Sequence, residues 1–282
     1  MVALVCPHSS GPGWGTAAYV LGWIAVGVAF IATIGIPYVY MWYHAPGIDS
    51  MPPTVILPAI AALTSAATCG VVSFAANITA RMQVLMIIVG YIMIGLGLPF
   101  ALSLIAVYIA RLLNGSWPPR SKAPLTYVII GPLGQASYAA MILGTSAASP
   151  GVGSFRVYNK GRFITGNDGN IVEAASILFA LVLWGYGAFW VTFALVESIH
   201  LGLFEGGGIK NPGHDISMWS PIFPIVWFSS QSSNRFTDVL LGSLDFSDSR
   251  VWEADACSRL GCFLRSVRFL RLDSNFLYVA NF

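Results

Sequence analysis

The chain has 282 residues, of which 56% are hydrophobic and only 9% charged, with a formal net charge of +2. A water-soluble domain carries roughly a quarter charged residues, so too few are present to cover a surface facing water. A polytopic membrane protein is the class that fits, with the lipid bilayer as its first partner, and no basic run or aromatic-interleaved basic patch points to nucleic acid.

In chain order, the opening "MVALVCPH" is apolar without a basic n-region. It does not read as a signal peptide, but as the end of a span that begins before Met1. A helix needs ~20 apolar residues to cross hydrocarbon. Five charge-free windows meet that length: Gly15–Tyr43, Pro53–Asn77, Val84–Ala110, Leu125–Ala147 and Ala174–Val196. None alternates with period two, which argues against a membrane β-barrel and for an all-α polytopic fold. A shorter apolar stretch, Ile216–Phe228, is a partial sixth. The loop Arg111–Lys122 holds three basic residues and no acid, which places it on the cytoplasmic side.

Residues 1–228 therefore read as one transmembrane domain. Composition changes after Phe228: residues 229–282 carry six arginines, six acids and no lysine. They read as an aberrant or cytoplasmic tail, with apolar residues at helical spacing and a surface helix over 260–272.

No catalytic constellation is visible, and no enzyme is expected. Cys6, Cys69, Cys257 and Cys262 have no disulfide-framework spacing, and no Cys/His cluster has metal-ligand spacing, so neither metal nor cofactor is expected. Glu173 and Glu197 read as solvated residues at the two ends of the fifth span, and the histidines as interfacial.

What recurs is proline in apolar context: Pro58 in "ILPAIAA", Pro99 in "GLGLPFA", Pro132 in "IGPLGQ" and Pro224 in "IFPIV". A proline inside a helix removes a backbone hydrogen bond, and in lipid the freed carbonyl must face protein or a wet cavity. Prolines in alternate spans suggest a ring of kinked helices around a common axis. Gln135 lies one turn past Pro132. Its amide is either glue between helices or a neutral hydrogen-bond donor to a passing anion.

"GPLGQASYAAMILG", preceded by "LPF" and "YIARLLNGSWPPRSKAP", resembles the fungal sulfite efflux pump branch of the tellurite-resistance/dicarboxylate transporter family, the voltage-dependent anion channels. "YVLGWIAVGVAFIATIGIPY", "VILPAIAALTSAATCGVVS", "ILFALVLWGYGAFWVTFAL" and "MWSPIFPI" look like that family's fourth, fifth, eighth and ninth spans. The resemblance implies that the domain 1–228 is a transporter or channel, with helical hairpins around a central pore, an incomplete version of a ten-helix pseudo-fivefold fold, in the plasma membrane. It implies Pro58, Pro132 and Pro224 as kinks of pore helices, Phe223 as an aromatic gate, and Gly131, Gly134 and Gln135 as pore lining. It also implies export of a small anion, sulfite first and malate or another C4-dicarboxylate second, and a homo-oligomer. The family's first two spans and most of its third have no counterpart here, and its pattern stops after Val226, so the resemblance implies truncation at both ends. A non-transporting remnant, or a partner of an intact paralogue, is the reading from another class.

Overall fold

The structure, a computed structural model, describes residues 13–43, 52–76, 78–117, 120–148, 154–160 and 164–203. All of them fall within the first of two compact units, Met1–Ser233. Among the described residues every regular element is helical: α1 (Gly13–Tyr43), a 3-10 turn (Pro53–Ile56), α2 (Leu57–Ala75), α3 (Ala80–Leu113), a 3-10 segment (Arg120–Ile129), α4 (Ile130–Ala148), the short α5 (Ser154–Tyr158) and α6 (Gly166–Leu203). Five stretches are long and apolar enough to cross a membrane: Gly13–Tyr43, Pro53–Ala75, Ala80–Leu113, Leu125–Ala148 and Asn167–His200. The chain is an all-α polytopic membrane protein.

The helices extend past the charge-free windows at their ends. α3 begins at Ala80 and takes in Arg81 and Gln83, and its last turn holds Arg111, a cation that complements the helix dipole. α6 begins at Gly166 and not near Ala174. The Thr165–Asp168 pair at its start supplies one half of a capping box, the acidic side chain reaching back over the first turn. Thr165 precedes the helix, and Asp168 accepts hydrogen bonds from the Thr165 backbone N–H and hydroxyl. Glu173 therefore lies well inside α6, not at its start.

α4 is the hub. It packs on α2, α3 and α6, and α2 in turn packs on α3 and α1. α4 is buried from Ile130 through Ser137, and again through most of its second half. Ser137 Oγ donates to the Ala180 carbonyl of α6 at 2.9 Å, which ties the hub to its largest neighbour. Close approach depends on glycine at a few points. A Cβ on Gly144 would stand 2.8 Å from Ser176 Cβ, and one on Gly97 would stand 2.9 Å from the Ala59 carbonyl oxygen. Small residues at such crossings let backbones meet where lipid supplies no hydrophobic drive between helices.

α1 attaches through one narrow stripe. Gly15, Ala18, Gly22, Val26, Ala29, Thr33 and Pro37 are its buried residues and recur at helical spacing. The opposite face presents Leu21, Ile24, Val28 and Ile31, all more than half exposed. That is the composition of a face made for hydrocarbon. Thr33 fixes the attachment: its hydroxyl lies 2.7 Å from the Ala29 carbonyl and 2.9 Å from the Pro58 carbonyl on α2. Thr33→Val is expected to lower stability by about 0.5–1 kcal/mol, read as a lower melting temperature in detergent. A variant as stable as the parent would show that the cross-helix bond contributes nothing.

Candidate functional site

Pro58 and Pro132 share one local design. Pro58 is the second residue of α2, directly after the 3-10 turn Pro53–Ile56. Pro132 is the third residue of α4, directly after the 3-10 segment Arg120–Ile129. The sequence reading expects both inside continuous helices. In the structure each opens an α-helix, where a missing N–H removes no helical bond because first-turn donors have no intrahelical partner. The backbone changes winding at these two points without an interior bond being broken. Interior prolines do occur, at Pro99 of α3 and at Pro37 of α1, the second of which the sequence reading passed over. Pro224 and Phe223 lie outside the described residues.

Gly131, Gly134 and Gln135 are all buried on the first half of α4. Gln135 is fully enclosed, and its Nε2 donates to Thr64 Oγ1 of α2 at 3.0 Å. The Thr64 hydroxyl spends its own proton on the Ile60 carbonyl at 2.8 Å, so it presents Gln135 with an acceptor. The other amide atom, Oε1, is buried without a hydrogen-bond partner among the described residues. The amide stands behind α2, and the polar atom in front of it is the threonine hydroxyl.

That threonine lies on a distinctive face. α2 is mostly buried, and its open or half-open positions Leu57, Ala61, Thr64, Thr68, Val71 and the pair Phe74 and Ala75 lie three or four residues apart along one face. This is one helical stripe. Between Leu57 and Phe74 no large apolar side chain of α2 is exposed. α1 and α6 behave otherwise: Ile31 is 71% exposed and Val182 72%. The middle of this face, from Ala61 to Val71, carries one alanine, two threonines and a half-buried valine, which fits an aqueous or polar neighbour better than acyl chains.

The hydroxyls on this stripe are poised. Thr68 Oγ1 donates to the Thr64 carbonyl at 2.9 Å, as Thr64 Oγ1 does to Ile60. Each of those carbonyls sits within a helix that can satisfy it by its own backbone bond. The hydroxyl proton can therefore swing to another acceptor at small cost. At Thr64 the amide proton arriving from Gln135 polarises the hydroxyl and makes it a better donor. Chemically, the stripe offers neutral donors of moderate strength and no fixed charge.

Sequence reading identified Gln135 and missed Thr64 and Thr68. The available signal was the pair of threonines one turn apart in "LTSAATC". It also took Glu197 for a solvated end residue, and the structure corrects this. α6 continues to Leu203, and Glu197 is only 6% exposed. Among the described residues no group of three or more His, Cys, Asp or Glu could hold a metal ion.

Comparison with known proteins follows the same line. The family model described as voltage-dependent anion channel matches residues 1–238. The sulfite efflux pump SSU1 of Arthroderma otae is 28% identical over 230 residues, covering 80% of this chain and 57% of that protein. The sulfite efflux pump SSU1 of Arthroderma benhamiae is 28% identical over 216 residues, covering 77% of this chain and 53% of that protein. An uncharacterised transporter of Methanocaldococcus jannaschii is 23% identical over 212 residues, covering 75% and 52%. The chain spans about half the length of the curated relatives it matches. No solved structure matches it.

Proposed function

The chain belongs to the voltage-dependent anion channel family, and on that premise we propose that its helices form part of the wall of a conduit that exports small anions, sulfite first among them, across the plasma membrane. The observation that carries this reading is the middle of the stripe on α2, Ala61 to Val71, where two hydroxyls and no exposed large apolar side chain face outward from a membrane helix, backed by the buried Gln135 amide. Small anions need a path that strips little of their hydration and holds them weakly enough to let go. Neutral hydroxyl and amide donors meet that need, whereas a fixed lysine or arginine would trap the ion. The sulfite preference rests on the fungal relatives named sulfite efflux pumps. In this reading Pro58, Pro132 and Pro224 set the bends of the lining helices. Gly131 and Gly134 let the hub approach its neighbours, and Phe223 plugs the path.

Purified protein in sealed vesicles tests the reading. Sulfite loss is expected to exceed malate loss from equally loaded vesicles. Faster malate flux would make the substrate a dicarboxylate. Absence of both fluxes from folded, inserted protein would favour a non-transporting chain or a partner of a longer paralogue. Phe223→Ala is expected to raise anion leak several-fold in the same assay. Unchanged leak would remove Phe223 from the gate.

A further inference from the structure

Glu197 is left over by the anion path. An ionisable side chain buried in a span is expensive and marks a functional site by default. Glu197 is 6% exposed, and its two carboxylate oxygens are buried. The Thr126 hydroxyl lies beside them, close enough to interact, although neither oxygen has a hydrogen bond of good geometry among the described residues. Thr126 is itself fully enclosed, and its Oγ1 is 2.9 Å from the Tyr108 hydroxyl of α3. Tyr108 in turn lines a shallow cleft with Pro53, Ile56, Arg111 and Ile129, which opens to the exterior and has about 20 Å³ of room for water.

We propose that Tyr108, Thr126 and Glu197 form a proton-binding site reached from this cleft, with Glu197 as the acceptor. Tyr108 lines the cleft, its hydroxyl meets Thr126 Oγ1, and Thr126 stands beside the buried Glu197 carboxylate; the two hydroxyls can each accept one hydrogen bond while donating another. Tyr108 donates to Thr126 and Thr126 to the ionised carboxylate. After protonation the chain runs the other way, from the carboxylic acid outward. A proton enters when Thr126 gives its hydrogen to a Glu197 oxygen, Tyr108 gives its hydrogen to Thr126, and an acid in the cleft's solvent restores Tyr108. One proton is lost by the solvent acid and one is gained by the carboxyl group, with no electron transferred.

Neither Glu197 oxygen has a hydrogen-bond partner of good geometry among the described residues, which argues against a structural ion pair. The ionisable residues of the adjoining elements are Tyr108 and Arg111 on α3, Tyr127 beside Thr126, Arg120 and Lys122 earlier in the same 3-10 segment, Tyr138 on α4, and His200 one turn further along α6. Among the described contacts, the Arg111 guanidinium donates from Nε to the Ser116 carbonyl at 3.0 Å, and it acts on Tyr108 electrostatically. The rings of Trp190 and Tyr108, 6.2 Å apart, close the inner side with apolar surface. The basic loop 111–122 puts the cleft on the cytoplasmic face, so the proton comes from the cytoplasm.

Infrared difference spectroscopy of reconstituted protein across a pH series tests the site directly, whether or not the chain conducts anions. A carboxylic acid C=O band that titrates in the parent is expected to vanish in Glu197→Gln. Its persistence in that variant would overturn the assignment. Thr126→Val covers the case in which Glu197→Gln fails to fold. It is expected to displace the midpoint of that band by about one pH unit, and an unmoved midpoint would remove Thr126 from the chain. A second measurement rests on the anion reading: sulfite flux that varies with cytoplasmic-side pH in the parent is expected to become flat in Glu197→Gln. Flux that keeps its pH dependence in that variant counts against the site. A lost band in protein that carries no anion at any pH supports the site and sinks the anion reading.

Discussion

Gly97→Ala is expected to destabilise the protein, and Gly97→Val to leave little of it folded. A Cβ at Gly97 would stand 2.9 Å from the Ala59 carbonyl oxygen, 3.0 Å from Ala62 Cβ and 3.0 Å from Leu63 Cγ. The nearest of these is backbone at the first turn of α2, so no rotamer change relieves it. α2 is also pinned from its other sides, by α4 and by the Thr33 bond at Pro58. Inserting volume into a close-packed site costs about 1–3 kcal/mol, and more where backbone must move. Gly95 supplies the control. It lies two residues away on the same helix, and a Cβ there meets nothing within 4 Å. Gly95→Ala is expected to be neutral or to stabilise by about 0.5–1 kcal/mol, through helix propensity. Melting curves of the detergent-solubilised variants decide the matter. Equal melting temperatures for Gly97→Ala and Gly95→Ala would mean that α2 and α3 do not cross at Gly97.

The largest functional effect is expected at the threonine stripe. A hydrogen bond to a charged partner contributes about 1.5–3 kcal/mol, so removing a hydroxyl that serves a passing anion slows flux by roughly ten- to a hundredfold. Thr68→Val removes such a hydroxyl and breaks no cross-helix bond, because Thr68 Oγ1 bonds only the Thr64 carbonyl among the described contacts. Thr64→Val also removes the acceptor for Gln135 Nε2, so it is expected to slow flux and lower stability together. Thr64→Ser keeps the acceptor and is expected to restore both. Ile24→Val on the open face of α1 is the control, since that side chain lines no hydroxyl face. Flux in Thr68→Val equal to that in Ile24→Val would detach the stripe from any anion path.

The spans themselves were legible because each consists of a charge-free apolar run at least as long as a bilayer is thick. Their ends were not. Arg81, Asp168, Glu173 and Glu197 lie within helices, and a rule that stops at the first charge stops too early. Asp168 was readable even so, since Thr165 and Asp168 have the capping-box spacing. The prolines were legible as special positions but not as helix starts. Whether a proline interrupts a helix or begins one depends on the winding of the residues before it, and "PTVIL" and "PLTYVII" do not declare themselves as 3-10. Gln135 stood out because an amide in an apolar run demands a partner. Its partner Thr64 did not, because a threonine can satisfy itself on its own helix. Glu197 was misjudged because burial at a helix end is set by neighbours from α3 and the 3-10 segment that are distant in sequence.

The enclosure of α4 bears on how the protein is made. Leu125–Ala148 is the least apolar of the five spans and the most covered by the others. A segment carrying Pro132, Gln135 and several glycines and serines gains little from leaving the translocon for lipid by itself. Its entry into the bilayer is best supported by α2 and α3, which are synthesised before it, α2 offering Thr64 to the Gln135 amide. Mutations on those earlier helices are therefore able to surface as failed insertion of α4 and loss at quality control, far along the chain from the residue that was changed.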